Sequence, residues 1–333
     1  MPPTIKRATS ADVARAAGVS RATVSYVLNN TPGQSISDAT RERVKEAADS
    51  LGYIPNGSAL ALQQGSSDIV LMAMPNFPHS TTLSHTQEAV ATFMSQANKA
   101  LAVWLQGTVT LRDMLRNVHP CIVIAPAGLT DSDRDLLARA GIPLVDPNDA
   151  ADPAPAGGDG VRIGRAQIDY LAGRGARAIA ATTPIEDALT FFATPRLEGI
   201  RAALATHSLP EPEVLRLPTP STIEHDPALV QTLQQAIDAG CDAVACYNDI
   251  HAAQLLAAAT TLGIDVPGDL MIMGVDNEPL GAYTTPPLTT LAQGHERYSY
   301  DLVVDALTRI GQPTDTLTCP DEDYVTVRVR ESA

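Results

Sequence analysis

The apolar-periodic segment TSADVARAAGVSRATVSYVLNN (residues 9–30), with SDATRERVKEAADSLGYIPNGSALAL following over 37–62, constrains this chain more than any other feature. Thr9 or Ser10 is placed to cap a first helix, with Asp12 in its first turn, where the helix dipole favours an acid. Val13, Ala14 and Ala17 share one face. Gly18 supplies the backbone freedom for a sharp turn, and Ser20 caps a second helix running from Arg21 to about Asn29. Val24, Val27 and Leu28 recur at helical spacing and face inward. Ser37 opens a third helix whose Val44, Ala47, Ala48 and Leu51 close a small core, with Gly52 as its stop. The plainer alternative is an Ala- and Val-rich helical hairpin. Turn glycine, caps and core positions agree at once, however, and that favours an all-α helix-turn-helix head.

Arg21, Ala22, Ser25, Tyr26 and Asn29 are left outward on the second helix. Short or polar groups near a helix N-terminus are what a DNA major groove admits, because bulk there stops the helix from reaching base edges. Charge agrees. Residues 1–62 hold seven basic groups (Lys6, Arg7, Arg15, Arg21, Arg41, Arg43, Lys45) and five acids (Asp12, Asp38, Glu42, Glu46, Asp49), a net +2, leaving 16 basic and 33 acidic groups, a net −17, in the remainder. Such a head orients on phosphate while the body is repelled. One head of so small a charge binds weakly, so a homodimer on a two-fold duplex site is expected.

DVARAAGVSRATVSYVLN, TRERVKEAADSLGY and IPNGSALAL resemble, nearly position for position, the head and hinge of the lactose-repressor (LacI/GalR) family of bacterial transcription regulators. The resemblance implies a repressor that binds double-stranded operator DNA. It implies contacts from Thr9, Ser20, Arg21, Ala22, Thr23, Ser25, Tyr26 and Asn29 in the head and from Asn56, Ala59 and Leu62 in a hinge helix. Leu62 is the expected minor-groove wedge; its alternative is a linker residue packing on the body. Leu60 and Ala61 stand where the family commonly has an Arg between the alanine and the leucine, which removes phosphate contacts.

At 333 residues the chain exceeds one ordinary domain. The expected partition is a head over 1–53, a hinge and linker over 54–66, and a two-lobed body over 67–333. Its N-lobe takes about 67–160 plus 293–313, and its C-lobe about 161–292 plus 314–333. No stretch approaches the roughly 18 unbroken apolar residues of a membrane span. MPPTIKRATS lacks the apolar core of a secretory signal, so a cytoplasmic protein with no membrane partner is expected. Cys121, Cys241, Cys246 and Cys319 show neither zinc-site spacing nor a disulfide framework, and no HExxH occurs, so no metal or other cofactor is expected.

After Gly65-Ser66-Ser67, β-rich runs alternate with amphipathic ones: DIVLMAMP, HTQEAVATFMSQANK, ALAVWL, LRDMLRN, CIVIAP, SDRDLLARAG, IPLVD. The rhythm restarts after the Pro-, Gly- and Asp-rich stretch 147–160 with GRAQIDYLAGRG, ARAIAAT, RLEGIRAALATHSL, EVLRL, PALVQTLQQAIDAG, DAVACYN, IHAAQLLAAATTLG, LMIMGVD and PPLTTLAQ. Strands separated by crossover helices predict two doubly wound parallel α/β sheets, with ligands at the strand C-termini in the cleft between lobes.

The resemblance continues through RLEGIRAAL and DAVACYNDIHAAQLLAAATTLGIDVPGDLMIMGVDNEPLGAYTTPPLTTL. It implies a periplasmic-binding-protein-like body with a small-molecule effector in the cleft, at Arg196, Asn248 and Asp276, with Tyr283 close by and Phe77 on the first N-lobe loop. A guanidinium fork, a carboxamide and a carboxylate suit a polyhydroxylated ligand, a carbohydrate. A nucleoside or nucleobase stacking on Phe191, Phe192 or Tyr283 is the runner-up. Each residue also has a plainer role: Asp276 and Asn277 as turn caps, Arg196 paired with Glu198 or Glu186, Asn248 as a helix cap. The chain departs from the family in a shortened stretch around Trp104–Leu115, in the loop PNFPHSTTLSH, and in Gly175-Ala176-Arg177, which lacks a common histidine. No leucine-heptad tail reaches Ala333, so a tetramer is not expected.

Two other classes compete. A transport solute-binding protein shares the lobes but begins with a signal peptide instead of a helix-turn-helix. A Rossmann-type enzyme needs GxGxxG, a Gly-rich Lys-Ser/Thr loop or GxSxG, and none is present. Asp146, Asp149 and Asp152, the one candidate carboxylate group, sit in a Pro-rich connector that reads as a solvated interlobe edge.

Overall fold

The first turn of the chain's first helix is closed twice over, and the rest of the head builds on it. In this computed structural model the described residues are 8–29, 31, 33–54, 67–76, 81–146, 158–219 and 227–333. Asn56, Ala59, Leu62 and Phe77, together with Asp149 and Asp152, lie outside them. The chain divides into two units, 1–67 and 68–333.

In the first unit α1 (Ser10–Ala17) is capped by Thr9, whose hydroxyl faces the Asp12 N–H while the Asp12 carboxylate accepts from the Thr9 N–H at 3.0 Å. Gly18 ends it at φ 65°, the left-handed conformation expected of a turn glycine. Ser20 caps α2 (Arg21–Leu28) and Ser37 caps α3 (Asp38–Ser50), each accepting from an N–H three residues on. Val13, Ala14, Ala17, Val24, Val27, Val44 and Ala48 form the core, with Leu28 and Ala47 partly buried against it. Leu51 differs from expectation. It is the C-cap residue of α3 and is 41% exposed, and Tyr53 packs into the core in its stead, its N–H on the Ala48 carbonyl at 2.8 Å.

The second unit holds two sheets. The N-lobe strands are β1 (Ile69–Met74), β2 (Ala100–Leu105), β3 (Ile122–Ile124) and β4 (Leu144–Val145), parallel in the order β2-β1-β3-β4. The helices between them are α4 (Thr81–Gln96), α5 (Leu111–Asn117) and α6 (Asp131–Ala140). Alternation along β1 sends Val70, Met72 and Met74 to one core and Leu71 and Ala73 to another, so both faces are covered.

The C-lobe contains α7 (Gly158–Gly173), β5 (Ile179–Pro184), α8 (Thr190–Thr206), β6 (Glu213–Leu217), α9 (Pro227–Asp238), β7 (Ala243–Ala245), α10 (Asp249–Leu262), β8 (Met271–Val275), β9 (Thr289–Gln293) and β10 (Val325–Arg328), and α11 (His295–Arg309) separates the last two strands along the chain. Its sheet runs β10-β9-β8-β7-β5-β6, with α9 and α10 on one face and α7 and α8 on the other. The edge strand β10 is antiparallel to β9, an addition to the all-parallel sheet expected. Its four residues are only partly buried or exposed, so no apolar run announced it.

After β9 the chain crosses between lobes, because α11 buries Leu302, Val303, Ala306 and Leu307 in the N-lobe core. Full burial of a leucine or valine there, as at Val303 and Leu307, contributes roughly 1.5–3 kcal/mol. Gly294 lies at the crossing: its N–H donates to the Tyr324 carbonyl at 2.9 Å, and an added Cβ would stand 2.3 Å from the Asp323 carbonyl oxygen.

The closest helix contact in the C-lobe is also made by glycines. A Cβ on Gly164 of α7 would stand 2.1 Å from the Arg196 carbonyl oxygen, and one on Gly199 of α8 would stand 2.2 Å from that of Val161. Only hydrogen at both positions lets the two backbones touch. Gly164→Ala is therefore expected to destabilise the body by about 3 kcal/mol, in the range of overpacked cores, and urea unfolding of the variant beside the parent chain measures it.

Candidate functional site

Helical periodicity gathers the head's polar candidates. Positions 21, 22, 25, 26 and 29 of α2 fall on one side, opposite buried Val24 and Val27. Arg21 and Ala22 are exposed, while Ser25, Tyr26 and Asn29 are partly so. Asn29 donates through Nδ2 to Ser25 Oγ at 3.2 Å. Thr9, Ser20 and Thr23 have a structural duty as well. The Ser20 hydroxyl accepts from the Thr23 N–H at 3.1 Å and shares a 2.9 Å bond with the Thr23 hydroxyl, so the two helix N-termini are closed by short polar side chains. This face can enter a groove and offer donors to base edges and phosphates.

In the body the structure brings Arg196 and Asp276 together. Arg196, on α8, is 8% exposed. Instead of pairing with Glu186 or Glu198, its guanidinium donates through Nη1 to the Tyr247 carbonyl and lies over the Tyr247 ring, 4.7 Å from the centroid. Its Nε is buried with no hydrogen-bond partner. Sequence reading started this helix at Arg196. The helix in fact begins at Thr190 with Pro195 inside it, because Leu189, Phe192 and Ala193 pack on Tyr247 and extend it upstream.

Asp276 follows β8 in a positive-φ conformation, 105°, uncommon for a residue with a side chain. Its N–H is held by the Leu291 carbonyl at 2.8 Å, and its Oδ1 accepts from Gln293 Nε2 at 2.6 Å. Burial raises its pKa to about 6, with Arg196 pulling the other way. Thr82, on α4 in the other lobe, has a buried hydroxyl without a full hydrogen bond of its own, yet it lies close enough to Asp276 to favour the ionised form. The cleft is spanned at this point.

Asn248 is the N-cap of α10, its Oδ1 accepting from the His251 N–H at 2.9 Å, so its cap role is realised and its carbonyl oxygen is engaged. Tyr283 stands apart, 83% exposed at the end of the 3-10 turn Pro279–Tyr283. Of the aromatic candidates, Phe191 and Phe192 meet edge to face at 5.2 Å, and Phe192 packs near Tyr247. The sequence does not single out Tyr247, Thr82 or Gln293, and it offers Glu186 only as an ion-pair partner for Arg196. Tyr247 directly precedes Asn248 at the end of a β-rich run; nothing in the sequence marks Thr82 or Gln293.

Behind the site lies a second buried acid. Asp249 accepts from the Thr290 hydroxyl at 2.6 Å and from the Glu278 N–H at 2.7 Å, and burial raises its pKa to about 7. A Cβ on Gly274 would stand 2.0 Å from its Oδ1, so the strand gives way to the carboxyl. A folded pKa above the unfolded one means that the associated stability is present in acid, below about pH 4, and is lost as pH rises through about 7. Between pH 4.5 and 7.5 the parent chain should therefore lose stability relative to Asp249→Asn, by on the order of a few kcal/mol. Urea midpoints of both proteins across that range check the slope; parallel curves would refute it.

Among the described residues there is no group of three metal-ligating side chains, and no helix is long and apolar enough to cross a membrane. Residues 9–56 match the family model described as bacterial regulatory proteins, lacI family, and residues 168–332 match that of a periplasmic binding protein-like domain. The chain is 31% identical over 320 residues to the transcriptional repressor PurR of Vibrio parahaemolyticus, covering 91% of this chain and 92% of that one. It is 31% identical over 312 residues to the transcriptional regulator MalR of Streptomyces coelicolor, covering 84% of each. Among solved structures its fold is similar to that of the lac repressor dimer bound to operator and the anti-inducer ONPF, with a TM-score of 0.74 at 23% identity over 98% of this chain and 99% of the other.

Proposed function

The chain belongs to the LacI family of bacterial transcription regulators, and from that membership we propose that it is a cytoplasmic, dimeric repressor released from or held on its operator by a small hydroxyl-rich effector, a carbohydrate, bound between the lobes. One observation carries the proposal. Arg196 Nε and Glu186 Oε2 are both buried without hydrogen-bond partners, and Arg196 and Thr82 both act on Asp276. Buried polar atoms left unpaired cost free energy, and a ligand carrying both donors and acceptors would satisfy them. Because Asp276 belongs to one lobe and Thr82 to the other, such a ligand favours one lobe arrangement, and by linkage effector and operator alter each other's affinity by the same factor, typically about 5- to 150-fold. A nucleoside is the second reading, favoured by the Tyr247 and Phe192 rings beside Arg196.

A thermal-shift screen of sugars and nucleosides tests the site, since a cleft ligand raises apparent stability by mass action. Arg196→Ala and Asp276→Ala should each abolish the response to the compound found while leaving operator binding without it nearly unchanged. A normal response in either variant would place the ligand elsewhere.

For the DNA side the proposal adds Asn56, Ala59 and Leu62 of the hinge to the α2 face. Leu280 and Tyr283, 73% and 83% exposed on one 3-10 turn, offer apolar surface to a second body. With a head of net +2 on a body of net −17, operator affinity should fall steeply with salt through counterion release, by at least about 10-fold between 50 and 200 mM salt. Fluorescence anisotropy on a selected operator measures it. Tyr26→Arg should change the selected half-site sequence more than the affinity for random DNA, and an unaltered selection profile would remove Tyr26 from the reading face.

A further inference from the structure

We infer that Glu186 is a specificity-determining residue of the effector site: together with Asp276 it sets two carboxylates against the single Arg196 guanidinium, so the site accepts uncharged or cationic hydrogen-bond donors and excludes phosphorylated or carboxylated ones. The inference rests on the effector-site reading above and adds the ligand's charge to it.

Glu186 lies between β5 and the 3-10 turn Asp187–Leu189. Its Oε1 accepts the Thr219 N–H at 2.8 Å, which fixes the carboxylate. The Thr219 hydroxyl shares a 2.9 Å bond with His251 Nε2, His251 Nδ1 shares another of 2.9 Å with the Thr182 hydroxyl, and that hydroxyl accepts the Tyr247 N–H at 2.7 Å. A continuous buried chain thus ties Glu186 to the residue on which Arg196 lies. Burial lowers the His251 pKa to about 3, so the imidazole at its centre is neutral and adds no positive charge.

The second oxygen of Glu186 is the informative atom. Oε2 is buried and has no hydrogen-bond partner, although the rest of its carboxylate is anchored. Its charge reaches the Tyr247 phenol, as do those of Asp276 and Arg196, so all three groups act on one residue. Glu278 also acts on Asp276 and adds to the negative side. Burial pushes the Tyr247 hydroxyl up to about 12, with Arg196 opposing and both acids adding to the rise.

A hydroxyl or ammonium donor relieves Oε2. A phosphate, carrying about −1.5 to −2 at neutral pH, brings only acceptors and faces two carboxylates over one cation. Like-charge contact in a partly desolvated site is worth on the order of 100-fold or more in affinity. Rejection of the anionic relative, beyond attraction of the neutral one, is what makes such a site selective.

The test uses the full chain and a panel of matched pairs: glucose with glucose 6-phosphate and glucuronate, maltose and cellobiose with their phosphates, glucosamine with its phosphate, adenosine with its monophosphate. Thermal shift and calorimetry count a compound as a cleft ligand only where Arg196→Ala loses the response. The expected result is that every such ligand is neutral or cationic, with its acidic partner at least about 10-fold weaker, and that Glu186→Gln narrows the ratio by about 10-fold. Glu186→Asp keeps the charge and should keep the exclusion, which guards against a folding defect in the Gln variant; unliganded melting temperatures confirm folding of both. An Arg196-dependent ligand that is an acid bound as tightly as its neutral partner overturns the inference and leaves the site standing. So does an unchanged ratio in a folded Glu186→Gln variant. No Arg196-dependent ligand of either kind overturns the site and this inference together.

Discussion

The body is organised around keeping a guanidinium out of water. An arginine that is 8% exposed needs partners for its donors, and Arg196 receives them from backbone and ring: the Tyr247 carbonyl and the face of the same residue. That contact requires α8 to sit against the end of β7, which in turn requires α7 to lie almost in backbone contact with α8 through Gly164 and Gly199. Two glycines in helix interiors cost intrinsic helix stability, roughly 1 kcal/mol each. The protein accepts that cost where it places one charged side chain, whose Nε is left without a hydrogen-bond partner.

The same region holds acids that a stability-driven design would have replaced. Asp276 and Asp249 are buried with raised pKa values, Glu186 keeps a buried free oxygen, and Asp276 stands in a positive-φ conformation. Buried polar groups left short of partners, together with local backbone strain, mark places where a protein is shaped for something other than its own folding. They lie where the C-lobe strands end and the chain crosses to the N-lobe beside Gly294, with Gln293 bonded to Asp276 and α11 packed in the far lobe. A ligand acting on Asp276 therefore acts on the crossing itself.

The head was almost wholly legible in the sequence, because caps, turn glycine and core periodicity are local signals; Leu51 alone was misplaced, since a residue at a helix C-cap can turn outward and Tyr53 filled the space. The alternation of strand and helix in the body was equally plain. What stayed hidden depends on distant chain segments. The antiparallel β10 carries no apolar run, α8 begins upstream of a proline that reads as a start signal, and Glu186 and Thr82 look like loop and helix-end residues until the fold brings them toward Asp276 and Tyr247. Resemblance pointed to Arg196, Asn248 and Asp276; the structure buries Arg196 and Asn248, holds Asp276 where burial raises its pKa, and makes Asn248 the helix cap that was its plainer role.

Anchoring is what would let the proposed site be selective as well as receptive. A lone surface glutamate would swing away from an anion, and screening would blunt its repulsion. Glu186 cannot, because Thr219, His251, Thr182 and the Tyr247 backbone hold it in series, and His251 is bound at both ring nitrogens with no proton to spare for charge compensation. Arg196 is fixed to the carbonyl and ring of the same residue. Tyr247 thus ties cation and anion to one residue, and a ligand of the proposed site would have to match both at once, which would turn two ordinary charges into a discriminating pair.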